Sequence, residues 1–511
     1  MPNGVMQLVA FGSQDLYLTG NPQITFFKAV YRRHSQFAME YIELNFIQSN
    51  ILFNSQNSTT LSCKIDRNAD LLHDCYLVFD LPAIMTNDKV PFEWTKDVGT
   101  VLLRSVQLTL GGQIIDKKYG QWLNINSSIS SSGPRRTVYQ RMVNGGDPRL
   151  NYSGLNIGDK MTLAINAKRL YIPLNLFFCN NPGLSLPLIA LQYTDAVIDI
   201  EFDSFHELYR IGKPLISPKE LFSGNNLSKF NNSMLTYLNS NYDNLTPYNL
   251  LENVFTSRFT STVRNFILAN YIFLGDEERR KFAQISHEYL IDQVQRKTYI
   301  INNRGPSHIN MNLLHPVKEI IWALQLYSVH ERNDWYNFTK NTDLDSLNYY
   351  INITQKTKTD ILWDKAEDYY NSNEIKDYIE ELKADSFNIN FNYENSNLFK
   401  SNFYSILNKA NIRFNGHDRF EMQEYGFFEH LQLYKYHSGT GMKGIYIYSF
   451  ALNPEDFQPS GTCNMSRIND QTLVLDIEGE IINEKYYLYL YGVNYNVFRV
   501  MGGIGQLVFA N

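Results

Sequence analysis

Residues 459–469 read PSGTCNMSRIN and join two strand-like stretches near the end of the chain. IYIYSF (Ile445–Phe450) lies before them, and TLVLDIE (Thr472–Glu478) follows almost at once. In the second stretch apolar residues alternate with polar and acidic ones, which is the period-two pattern of a half-buried strand. Proline, glycine, serine and asparagine between the strands favour a turn. The segment is therefore interpreted first as a structural corner between strands and only second as an active-site loop.

The alternating pattern recurs through the first 210 residues, where helical periodicity is scarce. The clearest examples are Cys75–Leu81, Val106–Leu110 and Ile198–Asp203. Gly111-Gly112 follows the second of these, and adjacent glycines tolerate the positive φ angles of a two-residue hairpin. We expect an all-β first domain with long polar loops, among them Asn126–Gly133 and Asn144–Asp159.

A second set of strands is expected to begin at Phe266–Leu274 and to continue along the rest of the chain. Its further members are Val294–Ile301, Ile320–Tyr327, Ala410–Phe414 and two strands around Gly502-Gly503. Asp276–Phe282 has an acidic first turn and a basic second turn, which favours a short helix. The sequence therefore predicts a mostly β chain with a few short helices.

The length of 511 residues favours two domains rather than one core. We predict an N-terminal arm at 1–22, for which a disordered tail is the alternative, and a first domain at 23–212. A segment at 213–254 that is rich in Asn, Ser, Leu and Tyr is interpreted as a linker or insertion. The second domain is predicted at 255–511, with an insertion at about 341–409.

The second insertion has a composition of its own. Residues 341–385 hold eleven acidic side chains and five lysines, so their net charge equals that of the whole chain. Within this segment Ile375, Tyr378, Ile379 and Leu382 lie at the spacing of one helix face. Such a helix usually packs on its own domain, and docking to a partner is the alternative.

The composition excludes several classes of function. The net charge of −6 argues against bulk nucleic-acid binding and against a strongly basic membrane-surface protein. The two arginines in Tyr31–His34 are better explained by a solvated turn or an intersubunit ion pair. Neither a secretory signal nor an apolar run of about 20 residues is visible. The 35 Tyr and 32 Phe residues favour strands.

Motifs for catalysis and metal binding are incomplete. The cysteines are Cys63, Cys75, Cys179 and Cys463, and since no two form a CxxC pair, reduced thiols are the simplest interpretation. Cys463 near Arg467 could in principle be an activated thiolate, but no histidine lies close in sequence. His287-Glu288 begins an HExxH zinc motif that Ile291 breaks, and GTGMKG at 439–444 lacks the lysine and hydroxyl of a phosphate-binding loop. We expect no catalytic residue, no metal site and no cofactor.

The two halves of the chain share fragments in the same order. The pattern F-x-x-N-P-x4-P occurs at Phe178–Pro187 and again at Phe450–Pro459. A strand and a glycine turn precede each copy, at Gly112 in the first half and at Gly416 in the second. A period near half of the chain is too long for a solenoid. It predicts two copies of one β domain in tandem.

Several stretches with distinctive motifs run from one end of the chain to the other: Gly12–Phe46, Glu278–Gln295, Asn415–Phe420, Phe450–Asn469 and Val493–Leu507. Together they resemble the major capsid proteins of nucleocytoplasmic large DNA viruses. The resemblance implies two tandem eight-stranded jelly-roll barrels, a double jelly roll, with loop insertions. It implies a structural protein of the virion and no enzyme.

The same resemblance implies partners. Three chains would form a homotrimer, a pseudo-hexagonal capsomer, and neighbouring capsomers would tile an icosahedral shell over an internal membrane that the chain touches only indirectly. The arm, Met1 to about Asn21, would contact neighbours or minor capsid proteins beneath the shell, and the 341–385 insertion would lie on the outer surface. No direct contact with nucleic acid is implied, attached glycans are compatible with the family, and assembly would take place at viral factories in the host cytoplasm.

Two other functions are kept as alternatives. A non-permanent scaffold with the same double jelly roll would coat a membrane during assembly and then be shed. A tandem β protein that binds or cleaves carbohydrate would need an exposed aromatic platform or a pair of carboxylates in a groove.

Overall fold

The computed structural model describes residues 3–47, 58–81, 84–86, 92–144, 162–165, 167–211, 264–302, 305–331, 333–340, 405–477 and 485–509. Some of the strands in these ranges, such as Ala196–Phe202, bury alternate side chains, and the strands build two β-sandwiches in succession. The predicted linker at 213–254 and the helix predicted within 341–385 lie outside the described residues.

Twelve strands are described before residue 275. They are β1 (Phe37–Leu44), β2 (Thr59–Lys64), β3 (Leu71–Leu81), β4 (Ile84–Thr86), β5 (Phe92–Trp94), β6 (Leu103–Leu110), β7 (Gln113–Lys118), β8 (Thr162–Ile165), β9 (Lys168–Pro173), β10 (Ala196–Phe202), β11 (Tyr209–Ile211) and β12 (Asn265–Leu274).

Eleven strands follow in the described part of the second half. They are β13 (His287–Ile301), β14 (Gly305–Asn310), β15 (Pro316–Leu326), β16 (Leu407–Phe414), β17 (His417–Asp418), β18 (Gln423–Glu424), β19 (Ile445–Ser449), β20 (Cys463–Asn464), β21 (Gln471–Ile477), β22 (Tyr486–Met501) and β23 (Ile504–Leu507).

The α-helices of the described residues are short. They are α1 (Asn3–Val9), α2 (Asp15–Thr19), α3 (Val98–Leu102), α4 (Gly120–Ser130), α5 (Gly133–Val143), α6 (Asp276–Gln284), α7 (Tyr327–Glu331) and α8 (Gln432–Tyr436). A π-helical turn, Phe427–Leu431, leads directly into α8. None of these helices has the length and apolar character needed to cross a bilayer.

The first sandwich is made of two four-stranded antiparallel sheets. One sheet has the order β1-β12-β3-β9, and the other has the order β2-β10-β6-β7. Strand β12 pairs with β1 on one side and with β3 on the other, and Ala269 lies opposite both Ile42 and Cys75. These eight strands form a jelly roll, in which strands distant in the sequence become neighbours.

This arrangement corrects the expectation that Phe266–Leu274 opens the second set of strands. In the structure this stretch is the eighth strand of the first sandwich. Ile267, Ala269 and Tyr271 point into the first core, and their strand lies between β1 and β3 in the sheet. An apolar strand pattern shows that one face is buried, but it does not show against which sheet.

The second sandwich repeats the first strand by strand. Its sheets have the orders β13-β22-β15-β19 and β14-β21-β16-β17, so β13 corresponds to β1, β22 to β12, β15 to β3 and β19 to β9. The two copies of F-x-x-N-P-x4-P begin just after the equivalent strands β9 and β19. The predicted tandem repeat is confirmed.

The glycine turns of the two halves also correspond. Gly111 and Gly112 link β6 to β7 with φ angles of 55° and 86°, and Asn415 and Gly416 link β16 to β17 with 50° and 80°. Two successive positive φ angles are characteristic of the tight hairpin turn that matches the twist of the strands. The hairpin predicted at Gly111-Gly112 is confirmed.

One predicted loop is wrong. Residues 126–130, expected in a polar loop, form the last turns of α4, and α5 begins at Gly133. Serine and asparagine have low helix propensity, so the local sequence gives a weak signal. Trp122, Ile125 and Ile129 lie on the buried side of α4, and this tertiary packing stabilises the helix.

Three apolar clusters hold the described residues together. One fills the first sandwich and a second fills the second sandwich around Trp322, which packs against Phe428 and Tyr446. The third lies between the sandwiches. The first cluster also includes Phe498 and Val500 from the far end of β22, and the Phe498 ring lies 5.4 Å from that of Phe177.

Candidate assembly surfaces

The corner at residues 459–469 holds one end of the second sandwich. Strand β20 pairs with the beginning of β15, and Met465 is buried behind it. The backbone amide of Met465 donates to the carbonyl of His315 (3.0 Å), and the side-chain Nε2 of Gln471 donates to the carbonyl of Met465 (2.7 Å). Burial raises the pKa of Cys463, although Arg419 opposes the shift, so this thiol stays protonated. The interpretation as a structural corner is confirmed.

The two incomplete motifs also have structural roles. Nε2 of His287 lies 2.8 Å from the carbonyl of Phe282, and the two rings stack. Across the described ranges no three His, Cys, Asp or Glu side chains are grouped as metal ligands would be. Residues 439–444 lie between the two sandwiches, where they take part in the contact described next.

A loop of the second sandwich caps a helix of the first, and this contact is called the joint. The amides of Gly439 and Gly441 donate to the carbonyls of Ile129 (2.7 Å) and Ser128 (2.9 Å), and the Ser438 hydroxyl donates to the carbonyl of Ser130 (2.9 Å). The last carbonyls of a helix have no partner within the helix itself. Here hydrogen bonds from the second sandwich satisfy the last carbonyls of α4.

The apolar part of the joint lies on the outer face of the sheet β13-β22-β15-β19. Helix α4, which lies in the connection from β7 to β9, covers this face with Trp122, Ile125 and Ile129. The Trp122 ring lies 5.2 Å from that of Tyr491, whose hydroxyl donates to the Gln121 side chain (2.6 Å). Buried apolar surface of this kind fixes the relative orientation of the two sandwiches.

A second set of contacts comes from residues 333–336, which follow β15 and α7. Asn333 donates to the carbonyls of His206 and Tyr209, and the Trp335 indole donates to the carbonyl of Glu207 (2.8 Å). Tyr336 donates its hydroxyl proton to Thr100 Oγ1 in α3 (2.6 Å). These bonds add contacts with α3 and with residues 206–209 to those of the glycine loop, so they resist rotation about the joint.

A buried ion pair of the first sandwich is joined to the second sandwich by a hydrogen bond. Lys118 at the end of β7 lies 3.3 Å from Asp116, and its Nζ donates to the carbonyl of Asp292 in β13 (3.2 Å). Asp116 also accepts a hydrogen bond from the amide of Phe177 (2.8 Å). Burial raises the pKa of Asp116, and the charge of Lys118 opposes that shift.

His437 clamps the beginning of the glycine loop. Its Nε2 lies 3.1 Å from Glu319 and its Nδ1 lies 3.3 Å from Glu455, which also accepts a hydrogen bond from the amide of Ser438. Burial alone would lower the pKa of His437, but pairing with the two carboxylates outweighs it and raises the pKa to about 9. Burial would raise the pKa of Glu455, but the bonds from His437 and Ser438 lower it. The imidazolium of His437 and the carboxylate of Glu455 therefore coexist at neutral pH.

This clamp predicts a loss of stability at alkaline pH. The pKa of His437 rises from 6.5 to about 9 on folding, so its contribution is complete below pH 6.5 and is lost as the pH rises through 9. A shift of this size corresponds to a free energy on the order of 3 kcal/mol. In denaturant titrations from pH 6 to 10, His437→Gln should be less stable than the wild type at pH 7, and the difference should shrink by pH 10. His417→Gln, on an exposed hairpin, is the control. A difference for His437→Gln that is constant from pH 6 to 10 would contradict the assignment.

The arm exposes many large apolar side chains. Helices α1 and α2 have no buried side chain, and the exposed residues of this region are Val5, Met6, Leu8, Val9, Phe11, Leu16, Tyr17, Leu18, Ile24, Phe26, Phe27, Val30 and Tyr31. Apolar surface in this amount usually belongs to a contact with another molecule. The basic cluster Tyr31–His34 lies in the same exposed segment.

Comparison with known proteins identifies the family. Residues 25–275 match the family described as "Major capsid protein N-terminus", and residues 278–506 match "Large eukaryotic DNA virus major capsid protein". The major capsid protein of Pyramimonas orientalis virus is 32% identical over 537 residues, with both chains covered completely. The chain belongs to the major capsid proteins of large eukaryotic DNA viruses. A major capsid protein from Paramecium bursaria Chlorella virus 1 is 31% identical, again over 100% of both chains.

Solved structures agree with this assignment. A chain of the PBCV-1 virus capsid, quasi-atomic model, has a TM-score of 0.63 and 26% identity to this capsid protein, covering 95% of this chain and 100% of that one. The Faustovirus major capsid protein, at 11% identity and a TM-score of 0.61, shares the fold over 98% of this chain and 96% of its own. The predicted double jelly roll is confirmed. The capsid protein is a structural component of the virion, and neither alternative function is favoured.

The residues of the joint were not recognised from the sequence. The sequence indicates GTGMKG only as an incomplete phosphate-binding loop, and it predicts a loop at Asn126–Gly133, where the last turns of α4 lie. A cluster of three glycines in six residues, just before the strand-like Ile445–Phe450, is the signal that could have indicated a close backbone approach. The limits predicted for the two domains remain predictions, although the two family matches meet between β12 and α6.

Proposed function

We propose that this capsid protein forms a homotrimer whose six jelly rolls make one pseudo-hexagonal capsomer, and that such capsomers tile an icosahedral shell. The joint is the observation that carries this proposal. It holds two topologically equivalent sandwiches in one fixed relation, so three chains in a ring present six similar units. A closed ring needs a heterologous contact, in which one surface of each chain meets a different surface of the next.

The N-terminal arm is the proposed contact with neighbouring capsomers or with minor capsid proteins beneath the shell. Its exposed apolar side chains, such as Phe27 at 98% exposure, support this role. Binding would bury that surface and order the arm. Attached glycans and assembly at viral factories in the host cytoplasm belong to the same proposal and rest on the family alone.

The native mass of the purified chain tests the trimer. Sedimentation at micromolar concentration should give a mass of three chains, because obligate interfaces of about 2,000–5,000 Å² do not dissociate at that dilution. Negative-stain images of the same peak should show hexagonal outlines. A mass of one chain, with two lobes in the images, would contradict the proposal and leave only the tandem fold.

A further inference from the structure

Two cysteine thiols of the first sandwich meet at one backbone carbonyl. Cys75 lies in β3, and Cys179 lies in the short helical turn Phe177–Cys179 that follows β9. Both thiols donate to the carbonyl of His73, each with a sulfur–oxygen distance of 3.8 Å. The pKa of Cys75 is raised well above its ordinary value, first by a hydrogen bond with the side chain of Cys179 and then by burial. The two sulfur atoms are therefore in contact with each other as well as with the same carbonyl.

The backbone on both sides of this pair is held in place. Nδ1 of His73 lies 2.8 Å from the carbonyl of Phe178, and the amide of Leu174 donates to the carbonyl of Cys75 (3.1 Å). Cys75 is buried in the first core, whereas Cys179 is half-buried and packs against that core. The folded backbone thus keeps the two thiols together, and solvent reaches one of them.

The other two cysteines of the chain have different surroundings. Cys63 is completely buried, and its thiol donates to the carbonyls of Asn45 and Lys64. Cys463 lies on β20 in the second sandwich. Cys179 is therefore the cysteine to which Cys75 is hydrogen-bonded.

The two sandwiches fasten the corner beside this pair in different ways. In the second sandwich the corner after β19 is attached to β15 by the pairing of β20. In the first sandwich the corner after β9 is attached to β3, the equivalent of β15, by an isolated bridge between Leu72 and Leu186. A covalent bond at this place would give the first corner an attachment of a different kind.

We propose that Cys75 and Cys179 form an intrachain disulfide, which is absent while the capsid protein is made and closes when the shell meets oxidising surroundings. Disulfides persist outside the reducing cytosol, including at virion surfaces. The bond would tie β3 to the corner after β9 and would restrain the unfolded chain by closing a long loop. Both thiols belong to one chain, so the proposal does not depend on the trimer.

A low-molecular-weight disulfide such as oxidised glutathione is the oxidant for this reaction. The more accessible thiol, that of Cys179, loses its proton and attacks one sulfur of the oxidant, which releases one glutathione thiol and leaves a mixed disulfide. The Cys75 thiol then loses its proton and attacks Sγ of Cys179, and the second glutathione leaves and takes up a proton. Two cysteine thiols are oxidised by two electrons, and the oxidant is reduced to two thiols. Because the thiolate is the nucleophile, the high pKa of Cys75 makes the closing step faster as the pH rises.

Peptide mapping of the purified wild-type chain, treated while folded with oxidised glutathione at pH 8, tests the pair. The chain should lose two of its four alkylatable thiols, and a peptide containing Cys75 should be joined to one containing Cys179 until a reductant is added. The unfolding temperature should rise by several degrees on oxidation and return on reduction. Linkage of another pair, or four free thiols after the treatment, would overturn the proposal.

Matched variants separate this pair from oxidation in general. Cys75→Ser should retain one glutathione on Cys179, because no second thiol is present to displace it. Cys179→Ser should gain neither a linkage nor a higher unfolding temperature. Cys463→Ser, which removes the half-buried thiol of the second sandwich, should link Cys75 to Cys179 as the wild type does. A wild-type chain that keeps glutathione on Cys179 without closing the bond would also overturn the pairing, and this outcome requires no variant to fold.

Discussion

Replacing Gly439 by alanine is expected to break the joint between the two jelly rolls. A Cβ at this position would overlap the carbonyl oxygens of Ser128 and Ile129, which are backbone atoms of α4 and cannot rotate away. The loop would have to withdraw, and the three hydrogen bonds to the end of α4 would be lost. Each net hydrogen bond contributes about 1 kcal/mol, and each buried carbonyl left without a partner costs about 1–3 kcal/mol. We therefore expect a loss of about 3–6 kcal/mol.

Calorimetry and native mass measure this effect together. The variant should unfold at a lower temperature, with the transitions of the two jelly rolls separated, and it should fail to form the trimer. Gly133→Ala is the matched control, since a Cβ on Gly133 meets no atom within 4 Å. The importance of the joint would be refuted by a Gly439→Ala protein that unfolds and assembles like Gly133→Ala.

Replacing Lys118 by methionine is expected to cost about 3–5 kcal/mol, because it leaves the buried carboxylate of Asp116 without its counter-charge. The side chain of Asp116 is completely buried and that of Lys118 is 4% exposed. The variant also loses the hydrogen bond from Lys118 to the carbonyl of Asp292, so both the first sandwich and its contact with β13 are weakened. Denaturant unfolding at pH 7 measures the loss.

The pH dependence and a double variant identify the cause. Burial already raises the pKa of Asp116, and without Lys118 only the hydrogen bonds from the backbone amides of Phe177 and Lys117 oppose that shift. A carboxyl whose pKa is raised on folding becomes less destabilising as the pH falls through that value, so Lys118→Met should recover stability relative to the wild type as the pH is lowered from 7. Adding Asp116→Asn, which keeps the acceptor for the Phe177 amide, should restore part of the loss at pH 7. If the two substitutions instead destabilise additively, the buried charge is not the cause.

The sequence was informative wherever a local pattern has one structural meaning. The alternation of apolar and polar residues in Thr472–Glu478 predicted a strand, because a period of two residues places the apolar side chains on one face of a strand and the polar ones on the other. Gly111-Gly112 gave a hairpin because two positive φ angles suit glycine. The repeated F-x-x-N-P fragments gave two like domains, since equivalent strands end at equivalent turns. These features made the double jelly roll predictable, and the family resemblance added the structural role.

The remaining features depend on which surfaces meet, and local patterns do not carry that information. The sequence of β12 would have the same apolar pattern whether the strand were the last of the first sandwich or the first of the second. Its apolar residues indicate that they are buried, but not which sheet they pack against. Helix α4 was missed since its serines favour a loop locally, while Trp122 and Ile129 are stabilised by the other sandwich. The clamp around His437 joins residues from β15 and two loops, and no spacing in the sequence links them.

The course of β22 has a consequence for how the chain is made on the ribosome. Phe498 and Val500 at the end of this strand complete the core of the first jelly roll, and Leu507 of β23 joins the same cluster. These residues are translated long after β12, the last strand of that jelly roll. The core of the first jelly roll therefore remains incomplete during translation until the second jelly roll is almost fully synthesised. Chaperones that shield nascent chains would act during this interval. Chains truncated before β22 would not assemble into the shell, because the cores of both jelly rolls would be incomplete.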